Sequence, residues 1–283
     1  NRGEPPCIHH TFCHAKALTT VLDYGAQTRI CQGHGLLPRE EAYGVREFPE
    51  ISTWLVSQGQ WRGTVTAYDW EYIKGGHASG GTITMLWNEK AGPVLAASLT
   101  EYQMKEPNNM QIPKGTSHMC LTPRLEYEEN GLLYQNINDF QAAVSYTQTN
   151  DSIQFQVSGR LVDLDRRDPS SGSLRYVMLY TFTDDEFVID IQLQPPMRKG
   201  TVAYRVPIIS EHQEKVSVSS SHSVMIQKHY SQIMIHADQP METSLGLSNT
   251  RIFNLVPGFE AIPLAIRFPG DGHIRLAIKL VSL

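Results

Sequence analysis

The feature that most constrains this 283-residue chain is a succession of short β-type segments that begins at residue 51. Each segment alternates apolar and polar residues or is rich in β-branched and aromatic residues, and turn sequences such as Glu129-Asn130-Gly131 separate them. The predicted strands are residues 51–56, 63–68, 82–87, 94–99, 143–146, 153–157, 176–182, 187–193, 202–206, 223–227, 232–236, 261–268 and 273–281. Strands joined by short turns pair antiparallel, and no strand–helix–strand alternation occurs. The pattern therefore predicts a mainly β fold, a large antiparallel β-sandwich of two sheets.

A short helical segment precedes these strands. Between Cys7 and Leu22 apolar residues recur every three or four positions, which is typical of an amphipathic helix, and Gly25 follows as a C-terminal cap. Residues 26–49 have weak periodicity and predict a loop with one short helical turn. The chain is thus divided into a helical lead-in, residues 1–50, and a β-sandwich domain, residues 51–283.

Charge and hydropathy exclude two classes of partner. The formal net charge is −5, and no block of basic residues is long enough to follow a phosphate backbone, so nucleic acid is not an expected partner. No apolar stretch reaches the roughly 18 to 20 residues that span a bilayer. The sequence starts at Asn1 without an initiator methionine or a signal peptide, so we expect the natural start to lie upstream.

Histidines in two places are candidates for chemistry. His10 and His14 lie four residues apart and therefore on one face of the predicted helix, where two imidazoles can share a metal or hydrogen-bond to neighbouring loops. His77 lies in a glycine-rich loop, residues 74–81, directly before a predicted strand. Glycines let the backbone approach a ligand, and an imidazole titrates near neutrality, so His77 suits a general base; a tight turn with a solvated histidine is the alternative.

Two segments near His77 are rich in aromatic, amide and charged side chains, at residues 61–72 and 100–111. Aromatic faces stack on sugars, amides bind hydroxyl groups, and Arg or Lys binds the carboxylate of a uronate. The candidate set is Arg62, Tyr68, Trp70, Tyr72, Lys74, Tyr102, Lys105, Asn108 and Asn109. Aromatic residues in strands are more often core or cross-strand pairs, which is the structural alternative for each of them.

Four segments in roughly the first 110 residues carry a family resemblance. They read CIHHTFCHAKAL, WRGTVTAYDWEY, GGHASGGTITMLWNEKAGPVLAASLTEYQ and EPNNMQ. They resemble the heparinase II/III-type polysaccharide lyases, in which an N-terminal α/α-toroid is joined to a C-terminal antiparallel β-sandwich with the sugar cleft between them. The resemblance implies that the lead-in contains the last toroid helix and that the rest of the toroid is missing from this chain.

The resemblance also implies a function. Such lyases cleave uronic-acid polysaccharides by β-elimination, and His77 matches the histidine that the β-domain contributes to the cleft. We therefore predict His77 and His10 as catalytic residues and Arg62, Tyr72, Tyr102 and Asn108 as substrate contacts. Some members hold zinc in the β-domain, but their ligand pattern has no match here, so no metal residue is predicted and the cofactor stays open. A secreted or periplasmic location follows, because large polysaccharides are met outside the cytoplasm.

An alternative function is open from the sequence alone. A β-domain without its toroid has half a cleft, which predicts little turnover for this chain by itself. The chain would then act as a non-catalytic β-sandwich that binds carbohydrate or scaffolds a neighbouring domain. The lyase hypothesis requires His77, Arg62 and Tyr102 to meet on one open face, whereas the binding hypothesis requires a row of stacked aromatic side chains.

Overall fold

The structure, a computed structural model, describes residues 16–20, 41–69, 78–98, 119–196, 201–243, 251–254 and 258–281. Residues 16–20 are helical, within the helix predicted from Cys7 to Leu22, whose other residues lie outside the described ranges. Two short 3-10 helices span Pro49–Ile51 and Asn136–Asn138. None of the helices in the described ranges is long and apolar enough to cross a membrane.

Strands make up most of the described chain. The first are β1 (Gly44–Phe48), β2 (Thr53–Gln58), β3 (Trp61–Thr66), β4 (Thr82–Asn88), β5 (Gly92–Ala96), β6 (Arg124–Glu129) and β7 (Leu132–Gln135). Next come β8 (Ala143–Gln148), β9 (Ser152–Arg160), β10 (Arg175–Thr183), β11 (Glu186–Gln194), β12 (Val202–Ile209) and β13 (Lys215–Ser220). The last are β14 (Ser223–Gln227), β15 (Gln232–Ala237), β16 (Met241–Thr243), β17 (Ile252–Asn254), β18 (Phe259–Arg267) and β19 (His273–Val281).

These strands form three sheets. One sheet has the order β1-β2-β3-β4-β5, the second the order β13-β14-β15-β19-β11-β10-β9-β8, and the third the order β16-β18-β12-β6-β7 with β17 paired to β18. Neighbouring strands pair antiparallel throughout, which confirms the predicted antiparallel β-sandwich. The prediction of two sheets was wrong, because β1 to β5 form a separate meander instead of extending either larger sheet.

Period-two alternation builds the core of the eight-stranded sheet. In β10 the residues Tyr176, Met178, Tyr180 and Phe182 are buried, and the residues between them are exposed or half-buried. Their neighbours in β9 and β11 alternate in register, so one face of the sheet is apolar. This face packs against residues of the other two sheets, including Trp61 of β3, in one continuous cluster. The three sheets therefore share a single core.

Strands that the sequence did not predict are polar or short. β1 lies at a sheet edge inside the predicted loop 26–49, and only Val45 of its side chains packs on the core. β6 alternates charged with apolar residues, and β13 is a serine-rich edge strand. Edge strands such as β1 and β13 tolerate charged and polar residues on both faces, so composition hides them. The domain boundary at residue 50 stays a prediction, although strand structure begins at Gly44.

One charged cluster lies on the six-stranded sheet. The Glu126 carboxylate accepts hydrogen bonds from Arg124 on its own strand and from Arg205 on β12, each at 2.8 Å. Burial acts to raise the pKa of Glu126, but the two guanidinium groups outweigh it and hold the pKa below its usual value. The ionised carboxylate is therefore the form that the folded protein stabilises.

We expect Glu126→Gln to lower the free energy of unfolding by about 2 kcal/mol at pH 7, since charge-assisted hydrogen bonds are lost. A carboxyl group whose pKa is lower in the folded state stabilises the protein above its unfolded pKa of 4.5, and this contribution disappears as the pH falls through the folded pKa. The gap between variant and parent should therefore narrow below about pH 4.5 in urea unfolding. The exposed neighbour Glu128 is the control; Glu128→Gln producing the same pH dependence would contradict the assignment.

Phe182 tests the shared core. Its ring is fully buried, with centroids 4.7 Å from the Phe187 ring and 6.3 Å from the Phe155 ring. Phe182→Ala should cost about 3–5 kcal/mol of unfolding free energy because it leaves a cavity that the sheets cannot close. Phe253→Ala removes the same atoms from a side chain that is 41% exposed and should cost about 0.5 kcal/mol. Equal losses for the two variants in chemical denaturation would contradict this packing.

Candidate functional site

Most of the predicted site residues lie outside the described residues. This group comprises His10, Tyr72, His77, Tyr102 and Asn108. Arg62 is described, and so are the chain segments on both sides of residues 70–77, the segment that carries His77 and Tyr72. The roles of these residues stay predictions, and the described surroundings define what the site is built on.

Arg62 is held inside its own sheet. It lies on β3 with a side chain that is only 9% exposed, and its guanidinium group pairs with Glu89 at 2.7 Å. The same group also donates to the carbonyl oxygens of Gly59 and Trp61, at 2.7 and 2.9 Å. These contacts stabilise the β2–β3 and β4–β5 turns. A substrate carboxylate at Arg62 would have to share the guanidinium group with Glu89.

Hydrogen bonds join the two described segments that flank residues 70–77, the first stem (residues 67–69) and the second stem (residues 78–80). The Gly80 N–H donates to the Ala67 carbonyl at 3.0 Å, and the Asp69 N–H donates to the Ser79 hydroxyl at 2.9 Å. Ser79 is fully buried, so its hydroxyl gains more from this bond than it would in water. The described residues on the two sides of residues 70–77 are therefore held together.

The second stem is anchored to the core. The Ser79 N–H donates to the Ile137 carbonyl at 3.1 Å, and the Tyr176 hydroxyl donates to the Gly80 carbonyl at 2.8 Å. Gly80 has a φ of +71°, and a Cβ atom there would lie 2.0 Å from the Asn136 carbonyl oxygen. Only glycine fits this approach. Burial raises the pKa of Tyr176 well above its usual value, so the hydroxyl stays protonated and able to donate.

The first stem is anchored through aromatic contacts. The Tyr68 ring packs edge-on against the Phe140 ring, with centroids 5.1 Å apart. The Arg166 guanidinium lies 4.0 Å from the centre of the same Phe140 ring, a cation–π contact. Phe140 follows the 3-10 helix Asn136–Asn138 that also receives the second stem. Both stems are therefore fixed to one segment of the chain.

A surface depression of about 500 Å³ lies beside this segment, at the ends of β9, β10 and β11. It is lined by Asp139, Gln141, Ala143, Ser158, Gly159, Arg160, Arg175, Tyr176, Val177 and Gln194. Tyr176 thus lines the depression and holds the stem of the His77 loop with its hydroxyl. A Cβ atom at Gly159 would lie 2.4 Å from that hydroxyl, so the glycine makes room for the contact.

Two arginines lie side by side in the depression. Arg160 on β9 is directly opposite Arg175 on β10, and Arg175 is in turn opposite Gln194 on β11. The Arg160 guanidinium pairs with Asp168 at 3.1 Å, whereas no described residue pairs with the Arg175 side chain. Sequence reasoning missed both arginines because the predicted strands end at residue 157 and begin at residue 176. The antiparallel pairing of β9 with β10 brings the two arginines together, and correct strand bounds in the sequence could have revealed it.

Within the described ranges, no three His, Cys, Asp or Glu side chains are close enough together to hold a metal ion.

Comparison with known proteins decides the family. The family model described as the ulvan lyase C-terminal domain matches residues 45–281, which include nearly all of β1 to β19. The chain belongs to the ulvan lyase C-terminal domain family. It is also 34% identical to the broad-specificity ulvan lyase of Formosa agariphila, over 99% of this chain and 44% of that protein. The chain therefore spans less than half the length of this curated relative.

A solved structure supports the fold of this ulvan lyase C-terminal domain. The heparan sulfate lyase HepC from Pedobacter heparinus aligns with 97% of the chain and 41% of its own length, with a TM-score of 0.58 and 8% sequence identity. At that identity the likeness concerns the fold alone. Together the comparisons confirm the resemblance to polysaccharide lyases that the sequence predicted, and they place this chain at the β-domain.

Tyr176→Phe tests the hydrogen bond from the Tyr176 hydroxyl to the Gly80 carbonyl in this ulvan lyase C-terminal domain. Removing the hydroxyl leaves the Gly80 carbonyl without its donor, so we expect a loss of about 1 kcal/mol in unfolding free energy. Tyr204 provides a matched control, because its hydroxyl is buried with no hydrogen-bond partner among the described residues. Tyr204→Phe should be neutral or stabilising in the same urea titration. A Tyr176→Phe protein as stable as the parent would show that this hydrogen bond does not stabilise the stem.

Proposed function

We propose that this chain is the β-domain half of a lyase that cleaves uronic-acid polysaccharides, including ulvan, by β-elimination. The observation that carries the proposal is the 34% identity to a broad-specificity ulvan lyase across 99% of the chain. Because that relative is more than twice as long, we further propose an N-terminal α/α-toroid as the partner that completes the sugar cleft. The substrate is an acidic polysaccharide outside the cytoplasm, which the secreted or periplasmic protein meets in the medium or the periplasm.

The reaction assigns a role to His77. In β-elimination a base removes the C5 proton of the uronate, negative charge develops on its carboxylate, and the C4–O4 bond then breaks as the departing oxygen takes up a proton. His77 acts as the base or as a direct cleft contact, since a neutral imidazole accepts a proton near pH 7. Its neighbour Ala78 is buried and followed by the anchored Ser79–Gly80 stem, and a rigid support of this kind is what a catalytic residue needs.

The remaining predicted residues complete the proposed cleft. His10 is the second catalytic candidate, on the helix that would come from the toroid side. Tyr72, Tyr102 and Asn108 would contact the sugar rings and hydroxyl groups. Arg62 would stabilise the developing carboxylate charge, and the substrate would share its guanidinium group with Glu89, the partner of Arg62 in the sheet.

The test uses the longer polypeptide that contains the proposed toroid. His77→Ala should reduce the release of unsaturated uronate, followed by its ultraviolet absorbance, by about 10²- to 10⁴-fold, the usual effect of removing a general base. A panel of acidic polysaccharides that includes ulvan serves as substrate. His229→Ala, which changes an exposed histidine of the same domain, is the control and should keep full activity.

Two outcomes would overturn the proposal. Full activity of a folded His77→Ala protein would remove His77 from the reaction. An absence of unsaturated product from every polymer, with the parent protein folded by circular dichroism, would reject the lyase function and favour the non-catalytic carbohydrate-binding alternative.

A further inference from the structure

The arginine row at the ends of β9, β10 and β11 is arranged as an anion site. Residues directly opposite in an antiparallel pair point to the same face with their Cβ atoms about 5 Å apart, so Arg160, Arg175 and Gln194 form one row. Like charges in directly opposite positions destabilise a sheet. A pair that costs stability in the free protein gains most from an anion placed between the two charges.

The acidic residues nearby contact Arg160 but leave Arg175 without a charged partner among the described residues. Asp139 is 2% exposed, and its two oxygens accept the N–H groups of Gln141 at 3.0 Å and Arg160 at 2.8 Å. Its carboxylate is therefore bound to the backbone. Asp168 binds Nη1 of Arg160 and the Ser173 hydroxyl. A guanidinium group has five N–H donors, so Arg160 keeps donors for a second partner.

We propose that this depression binds an anionic substituent of a glycan, either a sulfate ester or a uronate carboxylate. Arg175 donates to it through the two parallel N–H groups that match a planar or tetrahedral oxyanion, and Arg160 provides the second charge. Gln141, Ser158 and Gln194 line the same depression and offer amide and hydroxyl groups to the sugar.

Tyr176 connects the site to the described residues that follow the proposed catalytic residue. Tyr176 forms part of its wall and donates to the Gly80 carbonyl on the His77 loop stem. Arg175 and Tyr176 point to opposite faces of β10, so the depression acts as a subsite that positions the polymer on the outer face of the strand that holds this stem. This second step rests on the proposed lyase function, whereas binding of the anion does not.

The binding test uses this 283-residue chain and three polymers in affinity electrophoresis: dextran sulfate, polyglucuronate and uncharged dextran. The parent should bind a charged polymer and not dextran. Arg175→Gln should weaken that binding about tenfold, because a charge-assisted pair is lost. Arg175→Lys should weaken it less, because the charge is kept and only the two parallel N–H donors of the guanidinium group are lost. Lys215→Gln is the control: it removes the same charge from an exposed edge-strand residue at the opposite side of the eight-stranded sheet.

The two polymers separate the two sources of the anion. A loss confined to dextran sulfate identifies a sulfate subsite, and a loss confined to polyglucuronate identifies a carboxylate subsite. The inference is overturned when Arg175→Gln and Lys215→Gln bind the charged polymers within twofold of each other. It is equally overturned when the parent binds them no better than dextran.

The outcome of this binding test can be told apart from the outcome of the lyase test. Binding that depends on Arg175, in a protein whose longer form releases no unsaturated uronate, retains the anion site and rejects the lyase. Release of unsaturated uronate that depends on His77, with Arg175→Gln binding like Lys215→Gln, retains the lyase and rejects the anion site.

Discussion

The structure depends on the apolar face of β9, β10 and β11, where aromatic side chains alternate with outward residues. Phe155, Tyr180, Phe182 and Phe187 lie on this face within one cluster that all three sheets share. Because the side-chain period of a strand is two, a slip of one residue in β10 would move every one of these rings to solvent. The burial of this face therefore fixes the register of the central strands, and the register fixes which residues meet at the ends of the strands.

The same register produces the candidate site. The inward position of Tyr176 lets its hydroxyl reach the Gly80 carbonyl, and the outward position of the preceding residue, Arg175, puts its side chain opposite Arg160. Two adjacent residues of β10 thus serve the loop stem on one face and the arginine row on the other. This arrangement connects the core to both proposals: a rigid sheet holds the stem of the segment that carries His77 on its inner face and the polar depression on its outer face.

Strand alternation made much of the fold predictable. The segments 176–182 and 187–193 are apolar at every second position, and the structure has strands there. The polar edge strands β1 and β13 gave no such signal, since little of their surface is buried. The division into three sheets was not predictable either, because which strands become neighbours is decided by packing of the whole chain.

For the candidate site too, part was predictable from the sequence and part was not. The sequence by itself determined that the chain is a large antiparallel β-domain like those of polysaccharide lyases, because alternation and turn residues are local properties and the motif around His77 is contiguous. Only the tertiary structure decided that Arg160, Arg175 and Gln194 form one row and that Tyr176 supports Gly80, 96 residues away in the chain. Contacts over such separations depend on strand register, and register is set by the burial of the shared core.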